Sequence, residues 1–452
     1  MVNLFFVTFD FSGVRTYANE LFDYLSNKEE IVLHKIYLES TYYNEYTEIV
    51  KNTVTYIHIP EVKQKERSLK KYSARCINLI EPVVAGKRNI IFHLNYSTQV
   101  KFGLEARKKF GAKLVYTMHY LPNFFSYLAI DGVFRENLGI LGENHENEMI
   151  READQIICIS KFAQHIIIKH YNTPKNKTKV IYNGYGVVKK KPPKEIARIK
   201  GNFGFGENEL LILFVGRLGV EKGVHALIRV FKKISKNFHD TRLVLAGEGN
   251  FTEIIQLCHD IAGKVTFTGK LTKEQLLKLY SIADIGVVPS HFELLGYIPI
   301  EMMYNRIPVV ISNVPGMNEL VEDGKNGLIC KVKKRTDGLF GLRVDEESLY
   351  LKLKSLLKDK AFAEQLAQNG RLCWEDSFTA EHMGKATLKL YKQLQLKPIN
   401  NDIFNYLSTI EERRAGSMAI CSTTASCPPP SSKQSLPAGM ERRLYGKDSD
   451  LT

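Results

Sequence analysis

The stretch IGVVPSHFELLGYIPIEMMYNRIPVVIS, residues 285–312, contains a short apolar run, a loop, a helical pattern and a second apolar run. Runs of Val and Ile between turn residues are typical of strands that are buried on both faces of a parallel sheet. Pro299 fits the first turn of the intervening helix, where its missing N–H costs no hydrogen bond. The stretch therefore predicts a strand–helix–strand unit.

Two glutamates, Glu293 and Glu301, stand in this otherwise mostly apolar stretch. A buried carboxylate is costly unless another group pairs with it or hydrogen-bonds to it. We expect Glu293 in the loop beyond the first strand and Glu301 in the first turn of the helix. Taken alone, the pair is also explained by an exposed loop acid and a carboxylate favoured by the helix dipole.

The same alternation of apolar runs and amphipathic helical patterns continues along both halves of the chain. The predicted strands of the first half are VNLFFVTF, IVLHKIYLE, NIIFHLNY, AKLVYTMHY, QIICIS and KVIYNG, and those of the second half are LLILFVG, TRLVLAGEG, VTFTG, IGVVPS, IPVVIS and GLICKV. The pattern predicts an α/β protein with two doubly wound domains facing across a cleft. Ligands of such sheets bind beyond the carboxyl ends of the strands.

Composition shifts divide the chain into five predicted segments. They are an N-terminal α/β domain (1–186), a linker rich in Lys, Pro and Gly (187–208), a C-terminal α/β domain (209–375), a C-terminal helix (376–398) and a disordered tail (399–452).

The overall composition is that of an ordinary globular protein, with 44% hydrophobic and 25% charged residues among 452. No apolar run is long enough to span a membrane, and the opening residues predict a buried strand rather than a signal peptide. Seven cysteines without metal-type spacing fit a reducing cytosol. The net charge of +14 suits phosphate-bearing substrates or anionic lipid, and without zinc-finger or ribonucleoprotein motifs we expect no nucleic acid partner.

A second stretch, FVGRLGVEKGVHALIRVF (214–231), places two cations beside the start of a predicted helix. Arg217 follows a buried strand, and Lys222 precedes the helix. Gly219 and Gly223 allow a ligand to approach the backbone, so the loop predicts a cradle for a diphosphate. The alternative is a pair of solvated loop cations.

Taken together, these motifs resemble glycosyltransferase family 4, whose members are retaining enzymes of the GT-B fold (glycosyl transferases group 1). The family's Glu-x7-Glu segment stands here as SHFELLGYIPIEMMYNRIPVV, and its G-R-x4-K-G motif as GRLGVEKG. The segments GMNELVEDGKNGLIC, ADQIICIS and VIYNG also match the family pattern. All occur in the family's order, and the resemblance covers about residues 2–396. It implies that residues 1–186 form the acceptor-side domain, that residues 209–375 bind the nucleotide sugar, and that the helix 376–398 packs back on the N-terminal domain.

The resemblance implies a role for each matching position of the second half. Glu293 is expected to contact the transferred sugar, and Glu301 to accept hydrogen bonds from the ribose hydroxyls of the nucleotide. Arg217 and Lys222 are expected to clamp the diphosphate. The backbone N–H groups of residues 294–296 (Leu294, Leu295 and Gly296) are expected to approach it as well.

In the first half, the resemblance places Gly13 at a phosphate-facing turn and His119, in YTMHY, near the donor sugar. For His119 alone, a hydrogen-bonded structural histidine is the competing explanation. The chain departs from the family at Ser12 (commonly Gly), Leu295 (commonly Phe) and Arg306 (commonly Gly). Without that last glycine, Asn305 or a distorted turn must end the helix.

The implied reaction moves a sugar from a UDP- or GDP-sugar to an acceptor hydroxyl with retention, and needs no metal and no further cofactor. The expected acceptor is a glycan, lipid or protein that lies against the N-terminal half, where residues 120–134 are rich in aromatics. The basic residues 63–75 either contact anionic lipid or form a solvated helix face. We expect a cytoplasmic protein, with peripheral contact at the inner face of the plasma membrane. The rival functions are a nucleotide-sugar epimerase and a non-catalytic nucleotide- or glycan-binding partner subunit.

Overall fold

The computed structural model describes residues 1–9, 14–60, 69–121, 142–186, 193–249, 251–334 and 341–396, without the side chains of 142–144 and 193–195. Residues 1–397 form one compact unit. Two sheets organise this unit, as the alternating sequence pattern predicts.

The first sheet has eight strands in the order β3-β4-β2-β1-β5-β6-β7-β8. Its strands are β1 (Val2–Phe9), β2 (Ile31–Ser40), β3 (Thr47–Lys51), β4 (Val54–Pro60), β5 (Ile90–Leu94), β6 (Lys113–Met118), β7 (Gln155–Cys158) and β8 (Thr178–Val180). All neighbours are parallel except β3 and β4, which form an antiparallel edge hairpin. The sequence did not predict this hairpin, because most of β3 is exposed and lacks an apolar signal.

The helices of the first half are α1 (Arg15–Leu25), α2 (Leu69–Val84), α3 (Val100–Phe110), α4 (Gly142–Glu152) and α5 (Lys161–His170). Fully buried side chains such as Phe6, Tyr17 and Leu21 join α1 to the sheet in one apolar core. We call the described residues up to 186 the N-lobe.

The second sheet has six parallel strands in the order β11-β10-β9-β12-β13-β14. They are β9 (Leu210–Val215), β10 (Thr241–Ala246), β11 (Val265–Gly269), β12 (Ile285–Val288), β13 (Val309–Ser312) and β14 (Leu328–Cys330). A short antiparallel hairpin, β15 (Val332–Lys334) with β16 (Leu342–Val344), was not predicted. We call the described residues from 193 to 377 the C-lobe.

The remaining helices are α6 (Pro193–Asn202), α7 (Val224–Asn237), α8 (Phe251–Leu257), α9 (Lys273–Tyr280), α10 (Tyr297–Tyr304), α11 (Glu346–Lys358), α12 (Lys360–Ser377) and α13 (Ala380–Gln395). α6 lies inside the segment that the sequence predicts as a linker. The apolar face of α7 packs into the core of the second sheet. Loops at the carboxyl ends of both sheets carry the residues of interest.

The last helix, α13, packs on the N-lobe. The hydroxyl of Tyr391 lies 2.5 Å from His93 Nδ1, and Tyr391 shares the apolar core of the first sheet. The backbone of Gly184 lies so close to Thr379 that a Cβ on Gly184 would be 2.2 Å from the Thr379 carbonyl oxygen. The predicted tail, 399–452, lies outside the described residues, and the domain boundaries stay predictions. Within the described ranges, no helix is both long and apolar enough to cross a bilayer.

Candidate active site

The cationic loop follows β9, as the sequence predicts. β9 ends at Val215, Gly216 adopts φ 147°, and Arg217 projects from the loop with 56% of its side chain exposed. Arg217 Nε lies 2.8 Å from Glu221 Oε1. Glu221 therefore restrains a cation that the resemblance assigns to the diphosphate, and Arg217 remains accessible to a ligand.

Lys222 and Glu293 contact each other directly, although the resemblance assigns Lys222 to the diphosphate and Glu293 to the sugar. Lys222 Nζ donates to Glu293 Oε1 at 2.5 Å, and Ser290 Oγ donates to the same oxygen at 3.0 Å. Both side chains of the ion pair are mostly buried, at 26% and 18% exposure. The pair joins the loop after β9 to the loop after β12, so the two predicted loops form one site.

Close backbone packing holds these two loops together. Gly223 has φ 70° and lies against the Pro289 carbonyl, which a Cβ on Gly223 would approach to 1.9 Å. Gly316 has φ 87°, and a Cβ on it would lie 2.4 Å from the Leu294 carbonyl oxygen and 2.6 Å from that of Glu293. Glycine is the only residue that fits both positions without displacing a neighbouring carbonyl.

The backbone N–H groups that follow Glu293 are candidate donors to an anion. Leu294 and Leu295 are buried, and Gly296 (φ 90°) precedes α10. Within the described part of the chain, the hydrogen bonds include none donated by the N–H groups of residues 294–296. N–H groups at the start of a helix, next to Lys222, are suited to bind an anion.

Glu301 lies on α10 and is buried. It is 6% exposed, and Tyr280 OH donates to its Oε2 at 2.7 Å. Burial raises the pKa of Glu301 to about 7, against smaller opposing effects of Tyr280 and Lys273. Glu301 is the fifth residue of α10, in the second turn and not the first. The helix begins only at Tyr297, because Gly296 has a non-helical conformation.

Arg306 ends α10 in the left-handed conformation that glycine usually supplies. Its φ is 56°, and the N–H of Ile307 donates to the Met302 carbonyl at 3.0 Å. This is the distorted turn that the missing glycine predicts, and Asn305 is the C-cap residue.

His119 follows β6 in the N-lobe and is half-buried. Its Nε2 lies 3.1 Å from Asn95 Oδ1, and its ring meets the Tyr17 ring edge-on at 4.5 Å. Burial lowers the pKa of His119 to about 3, so the imidazole is neutral at neutral pH. Its described contacts are within the N-lobe and not with either glutamate of the C-lobe.

Three predicted features lie wholly or mostly outside the described residues. They are the turn with Ser12 and Gly13, most of the aromatic segment 120–134, and the first part of the basic segment 63–75. Only residues from Leu69 onward in the basic segment are described, as the start of α2.

Polar contacts connect the two lobes around these residues. Glu319 accepts from the backbone N–H groups of Lys161 and Phe162 at the start of α5, at 2.9 and 2.7 Å. Tyr297 OH donates to the Gly184 carbonyl at 3.0 Å. The lobes are thus held together at the end of the sheets where the site lies.

An ion pair between the lobes lies close enough to Glu301 to affect its charge. Lys273 Nζ is 3.3 Å from Glu20 Oε1, and Glu20 is almost fully buried. Burial raises the pKa of Glu20, and Lys273 opposes that rise. Sequence reasoning missed both residues, since a partner 253 positions away leaves no local signal.

The described residues contain no group of three or more His, Cys, Asp or Glu side chains that could hold a metal ion. The loop after β9 carries two cations, Arg217 and Lys222. The arrangement as a whole offers cations and amides to an anion, and a buried carboxylate to hydroxyl donors.

Solved structures show which fold this is. Sucrose-phosphate synthase from Thermosynechococcus elongatus superposes with a TM-score of 0.70 at 20% identity, over 87% of this chain and 99% of that one. Anabaena HepE in complex with UDP-glucose gives a TM-score of 0.66 at 19% identity, over 87% and 100%. The protein has the GT-B fold, with two Rossmann-like doubly wound domains that face each other across a cleft.

Two family models match the chain, one in each half. A model described as glycosyl transferases group 1 matches residues 195–372, and one described as Glycosyltransferase Family 4 matches residues 11–187. The chain belongs to the family 4, group 1 glycosyltransferases.

Two relatives match in part. An uncharacterised glycosyltransferase of Methanocaldococcus jannaschii is 31% identical over 53% of this chain and 60% of its own length. The glycogen synthase of Mycobacterium tuberculosis is 28% identical over 54% and 56%. The chain thus spans less than two thirds of the length of these relatives.

Proposed function

We propose that this glycosyltransferase transfers a hexosyl group from a UDP- or GDP-sugar to an acceptor hydroxyl with retention at the anomeric carbon. The observation that carries the proposal is the junction of two loops at the Lys222–Glu293 ion pair. That junction places a cationic loop, backbone amides and a carboxylate next to one another. Such a combination suits a nucleotide-diphosphate sugar, whose diphosphate binds cations and N–H groups and whose sugar hydroxyls donate to a carboxylate.

The diphosphate binds where Arg217, Lys222 and the N–H groups of residues 294–296 converge. As the bond from the anomeric carbon to the phosphate oxygen breaks, these groups stabilise the charge on the leaving diphosphate. Because protein cations supply this stabilisation, the reaction proceeds without a metal ion or a further cofactor. Anabaena HepE, which shares the fold, has been solved in complex with UDP and with UDP-glucose, and this supports a nucleotide-sugar donor.

Glu301 accepts hydrogen bonds from the ribose hydroxyls, and Glu293 contacts the transferred sugar. The acceptor oxygen forms its bond on the face of the sugar that the diphosphate leaves, and its proton goes to the departing phosphate oxygen. This scheme uses no protein nucleophile. The acceptor is a glycan, lipid or protein hydroxyl used in the synthesis of a cell-surface glycan or glycoconjugate, at the inner face of the plasma membrane.

The test is a thermal-shift screen of the full chain against UDP, GDP, ADP and their common sugars, followed by NMR analysis of the product. A ligand at about 100 times its Kd adds about 2.7 kcal/mol to the free energy of unfolding. We expect stabilisation by a UDP- or GDP-sugar, and a product with the anomeric configuration of the donor, formed at the same rate with EDTA. Inversion, or an epimerised sugar from donor alone, contradicts the proposal.

A further inference from the structure

Three neighbouring strands of the first sheet end side by side next to His119. Leu94, the last residue of β5, pairs with Val7 of β1 on one side and with Tyr116 of β6 on the other. Asn95 is the next residue after Leu94, and His119 follows the end of β6. The side chain of Asn95 therefore lies between a backbone carbonyl of β1 and the imidazole.

The orientation of the Asn95 amide follows from its partners. Asn95 Nδ2 lies 2.9 Å from the Val7 carbonyl oxygen, which can only accept a hydrogen bond. The amide nitrogen must therefore face Val7, and Oδ1 must face His119 at 3.1 Å. Asn95 is 2% exposed, and its own backbone N–H donates to Gln99 Oε1 at 2.8 Å, so the residue is fixed.

This orientation decides where His119 carries its proton. Asn95 Oδ1 is an acceptor only, so His119 Nε2 must be the N–H donor. Since the ring is neutral, Nδ1 then has a free lone pair. Within the part of the chain that the structure describes, Nδ1 has no hydrogen-bond partner, and His119 is only half-buried.

Titratable neighbours of the His119 ring do not alter this assignment. Tyr17 packs edge-on against the ring and directs its hydroxyl to Thr117 Oγ1, at 3.2 Å. His93 contacts Thr117 and Tyr391 with its two nitrogens, and burial lowers its pKa to about 3 as well. The ring of His119 is held in place by Tyr17, and its proton is placed by Asn95.

We infer that Asn95 is a positioning residue that locks His119 in the Nε2–H tautomer. His119, which the family resemblance already places near the donor sugar, then presents Nδ1 as the acceptor for a hydroxyl of that sugar. The identity of the ligand rests on the proposed function, whereas the tautomer does not. A neutral acceptor also avoids placing a positive charge beside an anomeric carbon that becomes positive as the diphosphate leaves. Turnover should therefore depend on the ability of that sugar hydroxyl to donate a hydrogen bond to His119 Nδ1.

The first test reads the tautomer directly by NMR of the full chain labelled with nitrogen-15 at histidine. The signals of His119 are assigned by their loss in His119→Gln. We expect a protonated Nε2 and a bare Nδ1 that stay unchanged between about pH 6 and 8. A protonated Nδ1 in the wild-type protein overturns the inference.

Variants of Asn95 show whether this residue causes the lock. In Asn95→Asp the carboxylate favours the imidazolium, so His119 should titrate in the neutral range. In Asn95→Ala both tautomers should appear, and this variant serves if the aspartate variant fails to fold. Asn237→Asp, an exposed asparagine at the end of α7, is the matched control and should leave the His119 signals unchanged. Wild-type signals in Asn95→Ala overturn the lock.

The second test uses UDP-glucose, or the donor that the thermal-shift screen selects, and its monodeoxyfluoro analogues. Fluorine cannot donate a hydrogen bond, so at one sugar position kcat/KM should fall about tenfold in the wild-type enzyme. That loss should shrink in Asn95→Asp, whose imidazolium donates instead. If turnover is normal and no position behaves differently in the two proteins, the inference fails while the proposed function stands. If no nucleotide sugar is turned over, the proposed function fails and the spectra alone decide the tautomer.

Discussion

At the scale of single residues, loss of Arg217 should lower the rate of transfer by removing one cation from the leaving diphosphate. The side chain of Arg217 is 56% exposed, and its guanidinium pairs with Glu221. We expect Arg217→Ala to lower kcat/KM by about 10²-fold, because a donor to the developing charge is removed. Steady-state kinetics measures this. Arg88→Ala removes the same charge from an exposed arginine that precedes β5, at the end of the first sheet away from the site, and should have little effect.

Glu293 should separate binding from turnover. In Glu293→Gln, Lys222 loses its carboxylate partner and becomes more available to phosphate oxygens. We therefore expect UDP binding to be retained or strengthened while kcat falls about 10²-fold. Calorimetry with UDP and single-turnover kinetics give the two quantities. Wild-type turnover would mean that Glu293 only holds Lys222 in place, and Glu322→Gln, an exposed acid, serves as the control.

The raised pKa of Glu301 predicts a pH dependence of nucleotide binding. With a pKa of about 7, the carboxylate is mostly protonated at pH 6 and mostly ionised at pH 8. Only the ionised form accepts from both ribose hydroxyls, so UDP affinity should rise about tenfold across this range. Calorimetry of Glu301→Gln at both pH values is the control, because any pH dependence that remains in this variant comes from the titration of UDP itself. The same pH curve in this variant as in the wild type would contradict the assignment.

The sequence identifies the residues of the motifs but not their partners. Arg217, Lys222 and Glu293 lie at the ends of strands in recognisable order, so their positions follow from the alternating pattern. Tyr280, which donates to Glu301, and Asn95, which contacts His119, belong to no local pattern. Tertiary packing alone brings each to its partner. For the same reason the direct Lys222–Glu293 pair was not predicted, although both residues were.

At the scale of elements, α10 is the helix that carries Glu301 and begins directly after the backbone amides of residues 294–296. Its end at Arg306 costs free energy, because a residue with a Cβ is less stable than glycine in the left-handed conformation. Arg306 is exposed, so its side chain adds little packing.

We expect Arg306→Gly to raise the free energy of unfolding by about 0.5–1 kcal/mol. Thermal unfolding measures it, and Arg306→Ala is the matched control, since alanine keeps the Cβ and should give no such gain. Equal stabilisation by both variants would show that loss of the arginine charge is the cause.

The predicted elements agree with the structure where the apolar pattern is strong. All twelve predicted strands are present, and α7 begins at Val224, shortly after Lys222, as predicted. The sequence missed the β3–β4 and β15–β16 hairpins. In each hairpin one strand, β3 or β15, is mostly exposed to solvent. An edge strand with one face in water does not need a continuous apolar run, so its sequence is that of a loop.

At the scale of the whole molecule, Glu319 links the lobes by accepting two N–H groups at the start of α5, and Tyr182 OH donates to it as well, at 2.8 Å. A carboxylate at a helix N-terminus is stabilising. Glutamine has a single acceptor oxygen and no charge, so Glu319→Gln should weaken this contact.

We expect Glu319→Gln to raise KM for the donor about fivefold, since more binding energy is then needed to close the lobes. The radius of gyration from small-angle X-ray scattering should be larger than in the wild type without UDP and equal to it with saturating UDP. Glu375→Gln changes an exposed acid of α12 and is the control. Unchanged scattering and KM would mean that the contact does not govern closure.

The central claim is that one nucleotide-diphosphate sugar occupies the cleft with its anion on the loops after β9 and β12. The most direct measurement is a crystal structure with UDP-glucose or the donor that the screen selects. We predict diphosphate oxygens within hydrogen-bond distance of Arg217, Lys222 and an amide of residues 294–296, with the ribose hydroxyls on Glu301. A bound donor whose ribose lies away from Glu301, with the Lys222–Glu293 pair buried and undisturbed, would contradict the account.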